Sequence, residues 1–230
     1  MTHVLLIEDD PAVRRGVTLG LRRRGHETEA VGTGEDGLES LAACPPDIVL
    51  LDLMLPGMSG LEVCRRIRET SQVPIVILSA RSDDVDVVVG LEAGADDYIV
   101  KPAGDEVIEA RIRAVMRRLA PSQPRTEAGN ECTTYADLEI DRSALRVRKH
   151  GTDLTLAPSE LKLLLFLSAW PDRTFSRQQL LEQVWEQSYY GDARLVDACV
   201  MRLRAKTEDD PRHPRYIQTV RGFGYRFGPL

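Results

Sequence analysis

Residues His3 to Asp10 read HVLLIEDD, an apolar run closed by three consecutive acids. Three further stretches repeat the pattern. Asp47 to Leu51 is closed by Asp52, Pro74 to Leu78 by Ser79, and Tyr98 to Val100 by Lys101 and Pro102. Short runs rich in Val, Ile and Leu read as buried strands of a parallel sheet. Helical patterns fall between them, over Pro11–Arg24, Glu35–Ala43, Ser59–Arg68, Asp83–Ala93 and Asp105–Leu119, and His26–Val31 supplies a fifth strand. Pro11 suits a helix start and Gly25 a helix stop. Fivefold strand–helix alternation over residues 1–120 predicts a (βα)5 doubly wound α/β domain with helices on both faces of a parallel sheet. Ligands of such a sheet bind at the carboxyl ends of its strands. Acids, a hydroxyl and an ammonium are therefore expected at one edge.

Carboxylates brought together repel one another unless a cation joins them. Hard oxygen donors suit Mg²⁺, or Mn²⁺ in its place. A carboxylate beside such a cation can attack a phosphoryl group and carry it as an acyl phosphate. Asp52 is the candidate for that role, with the Lys101 ammonium and the Ser79 hydroxyl around the phosphoryl oxygens. A single acid at a strand end is more often a helix cap or a solvated residue, and Asp10 reads equally well as a cap. The ordered set at four strand ends is what favours chemistry. The segment after the first strand is acidic and lacks a glycine phosphate loop, which argues against a dinucleotide-binding or P-loop enzyme.

Past residue 120 the pattern changes. Pro121 to Cys132 carries two prolines and a glycine among polar residues and reads as a linker, which sets domains at 1–120 and 133–230. Strand-like pieces follow at Tyr135–Ile140, Ala144–Arg148 and Asp153–Leu156. Helical patterns cover Ser159–Ala169, Ser176–Val184 and Ala193–Thr207, and Tyr216–Phe227 reads as two strands around a glycine-containing turn. That order predicts an α+β winged helix-turn-helix. In the third helix Val196, Val200, Leu203 and Thr207 form an apolar stripe. Arg194, Ala198, Met201 and Arg202 are expected to point away from it, with Asp197 and Arg204 at a flank. Arginines opposite a packing stripe suit entry into a DNA major groove, with Arg202 towards guanine and Asp197 towards cytosine or an arginine. On pattern alone, a solvated amphipathic helix fits as well. Arg221 at the hairpin tip is suited to a minor groove.

Charge divides in the same way. Of the net −6, residues 1–120 contribute −7 and residues 133–230 contribute +2, with eight bases against four acids from Arg194 to Arg226. An anionic partner is expected for the second part. No apolar run is long enough to cross a membrane, and MTHVLLIEDD turns acidic too early for a signal peptide, so a cytoplasmic protein without membrane association is expected. Cys44, Cys64, Cys132 and Cys199 show no ligand-like spacing and are expected to be free thiols.

The motifs LLIEDD, LLDLMLPGMSG, VPIVILSA and GADDYIVKP, in this order and spacing, resemble those of response-regulator receiver domains. LTLAPSELKLLLFL, FSRQQLLEQVW, GDARLVDACVMRLRAKTE and YIQTVRGFGYRF resemble the winged-helix effector of the OmpR/PhoB family. The resemblance implies a phosphorylation-dependent transcriptional regulator of a two-component system, not an enzyme acting on a metabolite. A sensor histidine kinase would phosphorylate Asp52. Glu8, Asp9, Asp52 and the Met54 carbonyl would hold the metal, Lys101 would pair with the phosphoryl group, and Ser79 and Tyr98 would act as the switch. Phosphorylation would favour a homodimer whose charges are Asp96, Asp97, Arg111, Arg113 and Arg118. Val87 and Val107 stand where a lysine–glutamate pair is common, which implies an apolar contact in its place. Ala103 replaces an aromatic common after Lys-Pro. In the effector, Asp197 and Arg202 would read bases of promoter DNA and Arg221 would enter the minor groove. Arg194, Trp185 and Thr219 would contact or support the backbone, and Arg204 would belong to the same DNA-binding set. Glu186 to Gly191 would face RNA polymerase. Cys199 and Met201 replace a histidine and an arginine common in the recognition helix. The alternative is a DNA-binding regulator whose receiver is not controlled by phosphorylation.

Overall fold

The structure, a computed structural model, describes residues 1–80, 89–119, 132–185 and 193–228. The chain forms two compact units, Met1–Arg117 and Arg118–Leu230.

In the first unit β1 (His3–Ile7), β2 (Glu27–Val31), β3 (Ile48–Leu51), β4 (Ile75–Ser79) and β5 (Asp97–Val100) form one sheet in the order β2-β1-β3-β4-β5. Every pairing is parallel. The helices are α1 (Pro11–Arg23), α2 (Gly34–Ala43), α3 (Gly60–Thr70), α4, described over residues 89–92, and α5 (Asp105–Leu119). The remainder of the helix expected over Asp83–Ala93 lies outside the described residues, and Val87 with it.

Alternation along the strands divides the core into two layers. Val4, Leu6, Ile48, Leu50, Val76, Leu78 and Ile99 pack with Val17 and Leu21 of α1 and Ile108, Ile112 and Val115 of α5. On the other face Gly37 of α2 lies directly over Ile7, and Gly90 of α4 lies over Ile77. A strand buried on both faces needs apolar residues throughout, which is why these runs show no polar alternation.

The second unit begins with an antiparallel sheet of β6 (Cys132–Tyr135), β7 (Leu138–Asp141), β8 (Arg146–Lys149) and β9 (Thr152–Asp153). This differs from the three strand-like pieces expected. Ala136 adopts φ 54°, so the run Tyr135–Ile140 breaks into a tight turn between β6 and β7. The turn lacks the glycine that usually marks such a conformation. Leu154–Leu156 leave the sheet, and Cys132, expected to end the linker, begins β6; the linker itself lies outside the described residues. Then come α6 (Pro158–Ser168), α7 (Arg177–Val184), α8 (Arg194–Thr207) and the hairpin β10 (Ile217–Val220) and β11 (Gly224–Phe227). Ser176 caps α7 with Gln179 in a reciprocal capping box. Phe175 bridges to Tyr225, which ties the α7 entrance to the wing. The expected stripe of Val196, Val200, Leu203 and Thr207 is buried.

Candidate functional site

Strand register brings the first site together. Ile7 pairs with Leu51, and Ser79 with Val100. The residues that follow, Glu8, Asp52 and Lys101, therefore emerge beside one another where the chain, having run from β1 out to β2, returns to β3. That reversal of strand order opens the crevice of a doubly wound sheet.

Within it Lys101 Nζ donates to Glu8 Oε2 at 2.5 Å and to Asp52 Oδ2 at 2.6 Å. Asp52 is 5% exposed, and its other oxygen accepts from the Met54 amide at 3.0 Å. Ser79 is fully buried at the end of β4, and its carbonyl accepts from the Lys101 amide at 2.8 Å. The Lys101–Pro102 peptide is cis. Burial pushes the Glu8 carboxyl above its ordinary range, against the pull of the Lys101 ammonium. Burial also works against the charge on Lys101, but hydrogen bonds to Asp52 and Glu8 outweigh it and raise its pKa. Asp10 stands apart as the α1 cap, its Oδ1 accepting from Ala12 and Val13. Oxygens of Glu8, Asp9 and Asp52 all lie within 4.8 Å of one another. Three carboxylates against one ammonium leave excess negative charge, and the donors are hard oxygens, so the set fits a divalent cation such as Mg²⁺.

Two residues that sequence reading missed shape this pocket. Arg14 NH1 on α1 donates to the carbonyls of Glu8 and Asp9, at 2.5 and 3.0 Å, and fixes the acidic loop. Nothing in the sequence separates it from neighbouring Arg15. Gly60 opens α3 hard against Asp52: a Cβ there would overlap the Asp52 carbonyl oxygen and stand 2.7 Å from Leu53 Cα. Tyr98 is half-buried, its ring close to Gly90 of α4.

The expected dimer residues divide. Asp96 is 1% exposed and turned inward, where it accepts from Arg68 at 2.8 Å and from the Ile75 amide. This corrects its expected place among inter-subunit charges, because a buried carboxylate takes its partners from its own chain. Asp97 is likewise buried and pairs with Arg111 at 3.6 Å, and Arg113 pairs with Glu109 at 3.1 Å. Val107 is exposed. The side chain of Arg118 lies outside the described residues.

In the second unit α8, α7 and the wing meet around Asp197. Its Oδ1 accepts from Arg177 Nε at 2.6 Å and from the Tyr225 hydroxyl at 2.7 Å. Burial and that bond to Asp197 push the Tyr225 hydroxyl up to about 12. Arg204 donates to the Ile217 carbonyl and to Thr219 Oγ1, both at 2.8 Å, and lies over the Tyr225 ring. Arg221 is exposed at the wing tip. Arg194 opens α8 and is half-buried.

Two orientations differ from expectation. Arg202 does not face outward: its side chain is 11% exposed and donates to buried Glu160 of α6 at 3.0 Å. Ala198 is also buried. The packed surface of α8 is wider than its apolar stripe because Glu160, held also by Lys206 at 2.6 Å, turns the Arg202 flank inward. Trp185 is buried, so it supports the surface from beneath. Glu186–Gly191 lie outside the described residues. None of the four cysteines forms a disulfide.

A receiver fold with an acidic crevice, followed by a winged helix, defines the class of two-component transcriptional regulators. Residues 4–113 match the family model described as response regulator receiver domain, and residues 151–227 the one described as transcriptional regulatory protein, C terminal. Transcriptional regulatory protein AfsQ1 of Streptomyces coelicolor is 56% identical over 229 residues, covering 100% of this chain and 99% of its own. Among solved structures, response regulator DrrB, a Thermotoga maritima OmpR/PhoB homolog, is 35% identical with a TM-score of 0.52 over 100% of both chains. A RitR mutant is 27% identical with a TM-score of 0.79 over 99% of both. The chain belongs to the OmpR/PhoB family of two-component response regulators. Among the described residues no helix is long and apolar enough to cross a membrane.

Proposed function

We propose that this chain is switched by phosphorylation of Asp52 and, in the phosphorylated state, pairs through its receiver and binds promoter DNA. The receiver spans 1–120, a linker 121–132 and the effector 133–230. The observation that carries the reading is the convergence of Glu8 and Asp52 on one ammonium, Lys101, with Ser79 ending the adjacent strand.

The phosphoryl donor is a phosphohistidine of a sensor kinase. Asp52 Oδ attacks phosphorus, the O–P bond forms as the N–P bond breaks, and the imidazole leaves with the electron pair and takes up a proton. A divalent cation held by Glu8, Asp9, Asp52 and the Met54 carbonyl would supply charge neutralisation at the phosphoryl oxygens. Lys101, released from its two carboxylates, pairs with a phosphoryl oxygen. Ser79 offers its hydroxyl to another, and Tyr98, close to α4, follows that movement. Val107, Arg111 and Arg113 on α5 form the pairing surface, with Asp97 buried behind Arg111. In the effector, α8 enters the major groove and Arg221 the minor groove, with Arg194 and Thr219 at the phosphate backbone. Two effectors then occupy tandem half-sites about one helical turn apart, where RNA polymerase is the further partner. The protein works in the cytoplasm.

Intact-mass measurement after incubation with acetyl phosphate and Mg²⁺ tests the first step. The chain gains one phosphoryl group and Asp52→Asn gains none; equal gain by both would move the acceptor elsewhere.

A further inference from the structure

The outward face of α8 is apolar at its centre. Of its residues, only Met201 and Ala205 are exposed, and Met201 is 45% exposed. They continue the line of Asp197 at intervals of four, one helix face. The polar groups around them are engaged within the chain. Asp197 is bonded to Arg177 and Tyr225, Arg202 to Glu160, and Arg204 to the Ile217 carbonyl and Thr219. A helix with arginines to spare reads guanine; this one presents a thioether.

Among the base edges of a major groove, the apolar feature is the C5 methyl of thymine. We infer that Met201 is a specificity-determining residue that reads the 5-methyl group of a thymine at the centre of each half-site. This rests on the DNA-binding reading above and deepens it. Charge complementarity between the exposed Arg221 of the wing and phosphate supports duplex DNA as the occupant. Methionine suits the contact: its unbranched, polarizable side chain extends into the groove and adapts to the methyl surface. At the next position along the face the Arg177 guanidinium, 2.6 Å from Asp197, offsets that carboxylate's repulsion of the groove.

The test begins with selection of random-sequence duplexes by the intact chain in the presence of beryllofluoride and Mg²⁺. In the enriched sequence each thymine is then replaced singly by deoxyuridine, which removes only the methyl. One position per half-site is expected to lose about fourfold in affinity, the worth of one buried methyl. Met201→Ala, a substitution on an exposed face by a stronger helix former, is expected to bind the thymine and uracil duplexes equally. Met201→Leu should keep the difference. A sequence enriched with no uracil-sensitive position, or the same uracil penalty in Met201→Ala as in the unaltered chain, would overturn the assignment while leaving DNA binding intact. Failure to enrich any sequence would overturn the DNA-binding reading, and the Met201 assignment with it.

Discussion

Lys101 is shared by two carboxylates, so the pocket holds its negative charge in check without cancelling it. Register places the three side chains together, but a glycine sets how tightly the walls close. Gly60 brings the start of α3 against the Asp52 carbonyl, where a Cβ has no room and the obstacle is backbone. Gly60→Ala is expected to destabilise the receiver by about 1–3 kcal/mol, the usual cost of overpacking, and to slow phosphoryl uptake. Thermal unfolding and acetyl-phosphate uptake measure both; an unchanged melting temperature would mean that α3 shifts at no cost. The acids, the hydroxyl and the lysine were legible in the sequence because each closes an apolar run, and strand ends gather in space. Arg14 was not legible, because it serves backbone carbonyls, which leave no mark on residue type. Asp96 was misread for a related reason: the sequence shows a charge, while its burial and its Arg68 partner come from packing.

Helix α8 is held by more than its apolar stripe. Glu160, buried on α6, accepts from Arg202 and Lys206 of α8 and from the Ala157 amide that opens its own helix. Removing the charge leaves Arg202 nearly enclosed with a neutral partner. Glu160→Gln is therefore expected to destabilise the effector by roughly 1–3 kcal/mol, the cost of an unsatisfied buried group. Both tryptophans, Trp170 and Trp185, lie in the effector, so tryptophan fluorescence during urea unfolding of the whole chain follows that unit alone. A midpoint equal to that of the unaltered chain would show that the cations find water instead. Periodicity gave the α8 stripe correctly, since Val196, Val200, Leu203 and Thr207 are all buried. It could not give the width of the packed surface, which a glutamate two helices earlier in the chain decides. The β6–β7 turn was hidden likewise, because Ala136 adopts a left-handed conformation usually announced by glycine or asparagine.

Two compact units of opposite charge balance, an acidic receiver and a DNA-binding effector with a basic end, make a regulator whose input and output chemistry are separate. The sequence changes its pattern close to the same point, after residue 120. Pairing of the receivers is where the chain is expected to depart from its family. Val107 is 48% exposed where a charged partner is common, so an apolar contact is expected in place of one ion pair. Salt screens charges and leaves apolar burial largely intact. Sedimentation of the phosphorylated protein is expected to show a dimer that changes little between low and high salt; strong dissociation at high salt would mean that charges still carry it. The phosphorylation switch is tested most directly by operator binding of the intact protein with and without beryllofluoride and Mg²⁺, beside Asp52→Ala. A switch at Asp52 predicts that beryllofluoride tightens binding in the unaltered chain and leaves Asp52→Ala unchanged. Equal binding by both proteins under every condition would contradict it.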